Sequence, residues 1–214
     1  MIQYNGPIFL HPPKTAGSSI IDALVQSKIA VLRPPYHAVG AVGVHQTFRE
    51  FGFPADADYA ISVRSPYTRY VSLYYEFCWY REKKYLDSPK DSDKTLMKFK
   101  RYLINTLYRG DSGSFPCTHW FKGITGKINI IKFENLISDV NRIYKIDLES
   151  FPHTKRRGVG ITASANEQES IRSILKFYDD AVIGIINDIA QSDFTTFGYT
   201  KFNNYREMAD YAQT

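Results

Sequence analysis

Lys14, Thr15, Gly17, Ser18 and Ser19 stand almost side by side in the stretch Pro7-Ile-Phe-Leu-His-Pro-Pro-Lys-Thr-Ala-Gly-Ser-Ser-Ile20. They offer a full positive charge, three hydroxyl groups and a glycine that lets another group approach the backbone closely. The chemistry of such a set is anion binding. A second cationic cluster comes later, in Val63-Arg-Ser-Pro-Tyr-Thr-Arg-Tyr-Val-Ser72, where Arg64 and Arg69 are joined by Ser72.

The flanking residues say how these groups are positioned. Ile8-Phe9-Leu10 is a short apolar run of the length expected for a buried strand. After the loop, Ile20-Ile-Asp-Ala-Leu-Val25 repeats its apolar residues at helical spacing, with serine as a natural helix start. Strand, glycine loop and helix start together predict an anion cradle, because N–H groups at a helix N-terminus and the helix dipole both favour negative charge. Asp58-Tyr-Ala-Ile-Ser-Val63 reads as another strand, and it runs straight into Arg64. Ser65 suits the cap and Pro66 the first position of a helix continuing through Tyr80. Arg64 thereby stands at a strand's carboxyl end, where open α/β sheets bind ligands.

The nucleotide-triphosphatase loop has its lysine after a second glycine, whereas here Lys14 precedes Gly17. The order Pro13-Lys-Thr-Ala-Gly-Ser-Ser19 instead resembles the 5′-phosphosulfate loop of sulfotransferases that use 3′-phosphoadenosine 5′-phosphosulfate (PAPS). The segment from Val63 to Ser72 is similar to that family's 3′-phosphate motif. By this resemblance Pro13, Lys14, Thr15, Ala16, Gly17, Ser18 and Ser19 hold the 5′ end of PAPS, while Arg64 and Ser72 hold its 3′-phosphate. Lys14, the amides near Gly17 and the hydroxyls of Thr15, Ser18 and Ser19 would stabilise the leaving phosphate. Arg69 is either part of this set or a structural residue paired with a carboxylate. The plainer alternative for the first motif is a strand–turn–helix corner with a surface lysine.

An acceptor hydroxyl also needs a base, and histidine titrates nearest to neutral pH. Of His11, His37, His45, His119 and His153, the expected catalytic base is His45, because His45-Gln-Thr47 resembles a His-x-Thr segment found between the family's two motifs. His11 is the second choice, equally suited to orienting the loop. Glu50 could orient the His45 ring or replace it. The resemblance extends more loosely to Phe133-Glu-Asn-Leu136, with Glu134 a supporting acid, and to Asp193-Phe-Thr-Thr-Phe-Gly-Tyr199, read as packing. Lys155, Arg156 and Arg157 sit where a basic loop over the nucleotide would come, though an exposed charge run is the equal alternative.

Composition bounds the rest. The 214 residues suffice for one α/β domain, and 43% hydrophobic with 23% charged residues are ordinary for a globular protein. A net charge of +5 suits an anionic ligand, with no zinc spacing or arginine-rich tail to suggest nucleic acid. Two separated cysteines, Cys78 and Cys117, make neither a disulfide framework nor a metal site, which points to reduced thiols in a cytoplasmic protein. No run of about eighteen apolar residues predicts a membrane span, and the short stretch before the first strand leads us to expect no leader segment.

The expected architecture is a single three-layer α/β domain, residues 1–214, with a mainly parallel sheet of four or five strands and the nucleotide-kinase-like sulfotransferase fold that the resemblance implies. Further strands are expected over Lys28–Leu32 and Ile128–Phe133, and helices over His45–Phe51, Lys94–Leu107 and Asn166–Ile189. The expected activity is sulfuryl transfer from PAPS, without a metal, to a hydroxyl acceptor. The loop style resembles members acting on carbohydrates, so a glycan leads over a small alcohol, phenol or lipid. The aromatic residues Tyr70, Tyr74, Tyr75, Phe77, Trp79 and Tyr80 could stack on sugar rings or form core. An ATP-dependent kinase and a non-catalytic nucleotide-binding module are the rival functions.

Overall fold

The structure is a computed structural model that describes residues 6–29, 47, 49–50, 52–81, 92–110, 115–151 and 166–214. In chain order its elements are β1 (Ile8–Leu10), α1 (Gly17–Gln26), β2 (Tyr59–Val63), α2 (Pro66–Arg81), α3 (Ser92–Arg109), β3 (Ile128–Lys132), α4 (Leu136–Tyr144), α5 (Glu167–Arg172), α6 (Asp180–Ile189), α7 (Gln191–Phe197) and α8 (Tyr205–Tyr211), with short 3-10 turns between some of them. The chain divides into two compact units, Met1–Arg64 with Cys117–Lys155 and Ser65–Pro116 with Arg156–Thr214.

The first unit is α/β and carries a parallel sheet in the order β1-β2-β3. β2 lies in the middle and is buried at every residue, as a parallel strand covered on both faces must be. The register sets Leu10 beside Ile61 and Val63 beside Lys132, so all three strands end at one edge. Ile20, Ala23 and Leu24 form the buried stripe of α1. They pack in a core that includes Leu10, Ile61, Ile131 and Val140, each such aliphatic chain stabilising the fold by about 1.5–3 kcal/mol. Beyond β3 the chain makes a 3-10 turn, Phe133–Asn135, and Asp139 of α4 reaches back to accept the Lys132 N–H at 2.9 Å.

Among the described residues the parallel sheet has three strands, where four or five are expected of the whole chain. Two local expectations change here. No strand starts at Lys28. Instead Lys28 takes a left-handed φ of 59° and ends α1 in a Schellman turn, its N–H on the Val25 carbonyl at 3.0 Å and that of Ile29 on the Leu24 carbonyl at 2.9 Å. Residues 30–32 lie outside the described residues. The expected helix over His45–Phe51 is, in its described part, a single turn. Thr47 and Glu50 build a capping box, with the Thr47 N–H and hydroxyl donating to Glu50 Oε2 at 2.6 and 2.9 Å. Gly52, at φ 69°, then stops the turn, its N–H on the Arg49 carbonyl.

The second unit is helical. Side chains of Asn166, Asp179 and Asn204 cap α5, α6 and α8 by accepting the N–H groups of Glu169, Val182 and Glu207. The expected helix from Pro66 is α2, that over Lys94–Leu107 lies within α3, and the chain after Asn166 is helical as expected. At its centre Tyr67 packs on Phe194 and Phe202 with centroids 5.2 and 5.3 Å away. The Tyr67 hydroxyl donates to Asn187 Oδ1 at 2.7 Å and accepts the Phe202 N–H at 3.0 Å, while the Tyr178 hydroxyl donates to the Tyr67 carbonyl at 2.7 Å. Phe194 and Phe197 of the Asp193–Tyr199 segment are thus packing residues, as expected. Among the aromatic residues of α2, Tyr70 and Tyr74 are core, with Tyr74 set against Phe99, Tyr102 and Phe177. The side chains of Trp79 and Tyr80 lie outside the described residues. No helix among the described residues is long and apolar enough to cross a membrane.

Candidate functional site

Immediately after β1 the chain runs through His11-Pro-Pro-Lys-Thr-Ala and enters α1 at Gly17. Two residues of this loop take a conformation that L-residues avoid: Lys14 and Ala16 both have φ of 68°, with Thr15 between them on the ordinary side. Alternating the backbone hand turns successive N–H groups toward one side and makes a concavity for an anion. The loop leads directly into the N-terminus of α1, which has no side-chain cap and no acidic residue in its first turn. Dipole and concave backbone therefore meet at one place, and Lys14 belongs to the loop that forms it.

Two contacts hold that backbone in place. The Thr15 hydroxyl is fully buried; it donates to the Pro12 carbonyl at 2.7 Å and lies 2.6 Å from the Ser62 hydroxyl of β2. This corrects one expectation: the Thr15 hydroxyl is engaged inside the protein, so the residue can serve an anion only through its backbone. Ser18 is exposed and Ser19 half-buried, which leaves their hydroxyls at the surface of the loop. Secondly, the imidazole of His11 lies where a Cβ would project from Gly17, so only glycine fits there. His11 is itself buried and stacked on Phe9, ring centroids 5.7 Å apart and planes 18° from parallel. Of its two expected roles, this placement matches the one that orients the loop.

Arg64 follows β2 at the same sheet edge as this loop, because β1 and β2 are parallel neighbours. Only 6% of it is exposed, and its guanidinium carbon sits 4.0 Å above the Phe133 ring, the residue after β3. Lys14 and Arg64 thus belong to one edge of one unit. Ser72 is a half-buried residue of α2, in the second unit. Arg69, also in α2, is wholly buried and donates through Nη1 to the Phe115 carbonyl at 3.0 Å, a structural position. Glu134 is half-buried in the turn after Phe133.

His45, the expected base, and Lys155, Arg156 and Arg157 lie outside the described residues, as do His37 and His153. Glu50 is described, and its carboxylate is held by Thr47. His119 is exposed and edge-on to Trp120 at 5.4 Å. Two residues of the site escaped the sequence reading, Ser62 and Phe133. Ser62 had a signal, since it is the one small hydroxyl in the otherwise apolar Tyr59-Ala-Ile-Ser-Val63 strand, and a buried polar group requires a partner. Phe133 had only its place at the end of β3 and in the loosely matching Phe133-Glu-Asn-Leu136 segment.

Among the described residues no group of three or more His, Cys, Asp or Glu side chains could hold a metal ion. What the described geometry can do is bind a tetrahedral anion at the α1 N-terminus beside a second, arginine-based cationic position. No family model, curated protein or solved structure matches this chain.

Proposed function

We propose that this chain is a PAPS-dependent sulfotransferase that transfers the sulfuryl group to a hydroxyl of a carbohydrate or polysaccharide. The observation that carries the reading is the left-handed pair Lys14 and Ala16 opening onto the uncapped start of α1, on the sheet edge from which Arg64 also emerges. A doubly anionic adenosine carrier needs two such positions, one for each end. The proposal includes the nucleotide-kinase-like fold, with a larger, mainly parallel sheet, and a cytoplasmic setting that suits the two free cysteines, Cys78 and Cys117.

In this reading the acceptor oxygen attacks sulfur in line as the bond from sulfur to the 5′-phosphate oxygen breaks. The acceptor's proton goes to His45, and the products are a sulfate ester and adenosine 3′,5′-bisphosphate. Lys14 and the amides at the start of α1 stabilise the charge that grows on the leaving phosphate, so catalysis is mainly positioning and electrostatics. Arg64 and Ser72 hold the 3′-phosphate, and Lys155 and Arg156 cover the nucleotide.

Thermal shift with adenosine 3′,5′-bisphosphate, PAPS and ATP with Mg²⁺ tests the reading, since a ligand that binds only the folded state raises its stability by mass action. The 3′-phosphorylated nucleotides should raise the melting temperature well above ATP. A preference for ATP with Mg²⁺ would make the protein a kinase. Turnover of PAPS over a panel of glycan and small-alcohol acceptors then tests transfer; tight binding with no turnover on any acceptor would leave a binding module.

A further inference from the structure

We infer that the outward face of α3 is a docking surface for an anionic lipid membrane, an inference independent of the nucleotide reading. α3 turns Phe99, Leu103 and Thr106 inward, all of them buried, with Phe99 set against Tyr74, Phe177 and Tyr178. Met97, Arg101 and Ile104, spaced four and then three apart, form a stripe on the opposite side. All three are exposed, and at 70% Met97 is the most exposed large hydrophobic residue among those described; Ile104 stands at 39%.

Charge selects the sign of the partner. Along α3 the sequence sets Lys94, Lys98, Lys100, Arg101 and Arg109 against the single carboxylate of Asp93. Lys100 shares its charge with Asp179, the cap of α6, at 3.4 Å, while Arg101 stands in the stripe itself between the two apolar side chains. Shape selects the kind of partner. Met97 and Ile104 are about 10 Å apart along the helix axis, two side chains standing on a convex surface. A peptide helix needs a groove to bury its anchors, which an outward helix face does not supply. A polyanion in water, whether nucleic acid or acidic polysaccharide, would meet Arg101 but gain nothing from the exposed methionine and isoleucine. A lipid bilayer deforms around such side chains, takes up their apolar ends and presents phosphates to the cation between them. Each cation near an anionic lipid surface stabilises the contact by about 1 kcal/mol, so several on one helix give a reversible, salt-sensitive attachment.

Flotation of the full chain with phosphatidylcholine vesicles, made with and without phosphatidylglycerol, tests this. The chain should float with the anionic vesicles only, and added salt should release it. Met97→Ser combined with Ile104→Ser should weaken that binding about tenfold, and Arg101→Gln about fivefold. These side chains lie at the surface, so both variants should melt with the parent. No binding to anionic vesicles would overturn the inference, as would equal binding to neutral ones or unchanged binding in both variants. Dextran sulfate held equally by the parent and the serine variant, with no flotation, would assign the face to a soluble polyanion instead. A serine variant that fails to fold would place Met97 and Ile104 in the core and overturn the inference as well.

Discussion

The hydroxyls of Thr15 and Ser62 meet at 2.6 Å in a place closed to solvent, tying the loop after β1 to the strand beside it. Thr15 also donates to Pro12, so a single side chain fixes both the start of the loop and its distance from β2. Thr15→Val keeps the shape but leaves the Pro12 carbonyl and the Ser62 hydroxyl without this partner in a buried setting. It should cost about 1–3 kcal/mol, read from urea unfolding, while Thr15→Ser should cost under about 1 kcal/mol. Equal stability of the valine variant would mean the contact holds nothing.

Gly17 and His11 make a second lock, one of shape. A methyl group at position 17 would run into the imidazole, which cannot swing away because it is buried against Phe9. Gly17→Ala should therefore destabilise by about 1–3 kcal/mol despite alanine's better helix propensity. Adding His11→Ala removes the obstacle, so the double variant should lose less than the two single losses summed. Additive losses in that double-mutant cycle would refute the contact.

Lys14 brings its charge to the loop from a left-handed backbone. Lys14→Ala removes the charge that the proposed reaction needs most when the phosphate departs. Once a turnover assay exists, kcat should fall about 10²–10³-fold, with a smaller change in KM for the acceptor. Near-normal turnover would take Lys14 out of the chemistry.

Ala16 stands at φ 68° as the residue before α1, a conformation that costs a side-chain-bearing residue about 1–2 kcal/mol. Ala16→Gly relieves that strain but loosens the unfolded chain by about 0.4–1 kcal/mol, so the variant should be as stable as the parent or slightly more so. A clear drop in its urea midpoint would count against the left-handed loop.

Tyr67 is held protonated by burial, with its pKa raised to about 12; the hydrogen bond from the Phe202 N–H opposes this, and Glu167 and Glu207 add to the rise. Tyr178, fully enclosed, is raised well above the ordinary phenol value, first by burial and then by Tyr67 and Tyr70. The folded state thus binds protons that the unfolded chain has released once pH exceeds that ordinary value. Stability from these groups is full below pH about 10 and should fall as pH climbs toward about 12. Urea midpoints stepped across that window test it. Tyr67→Phe should lower stability at neutral pH, because the Phe202 N–H loses its acceptor, and should flatten the alkaline decline.

Much of the fold and of the candidate site was legible along the chain. Ile8-Phe9-Leu10 and Tyr59–Val63 read as strands, Ile20-Ala23-Leu24 as a helix stripe and Pro66 as a helix start. All of these rest on periodicity or on the fixed φ of one residue, properties carried by neighbours in sequence. Where local signals competed, the reading slipped. The apolar residues after Lys28 suggested a strand, yet the last turn of α1 closed on Lys28 and Ile29 because its end carbonyls needed donors. Thr47 and Glu50 wrote a true helix start, and Gly52 cut it to one turn.

The sequence by itself determined that Lys14 lies between a strand and a helix, and that Arg64 follows a strand. Both facts come from bonds and spacings within a few residues. Only the tertiary structure decided that β1 and β2 are parallel neighbours, which sets the two cations on one edge. It alone decided that the Thr15 hydroxyl faces Ser62, 47 positions away, rather than a ligand. It also decided that His11 fills the space over Gly17 and that the Arg64 guanidinium carbon lies over the Phe133 ring. A residue's type limits which bonds it can make, but which partner it meets depends on strand register and packing between distant segments, and no local pattern encodes that.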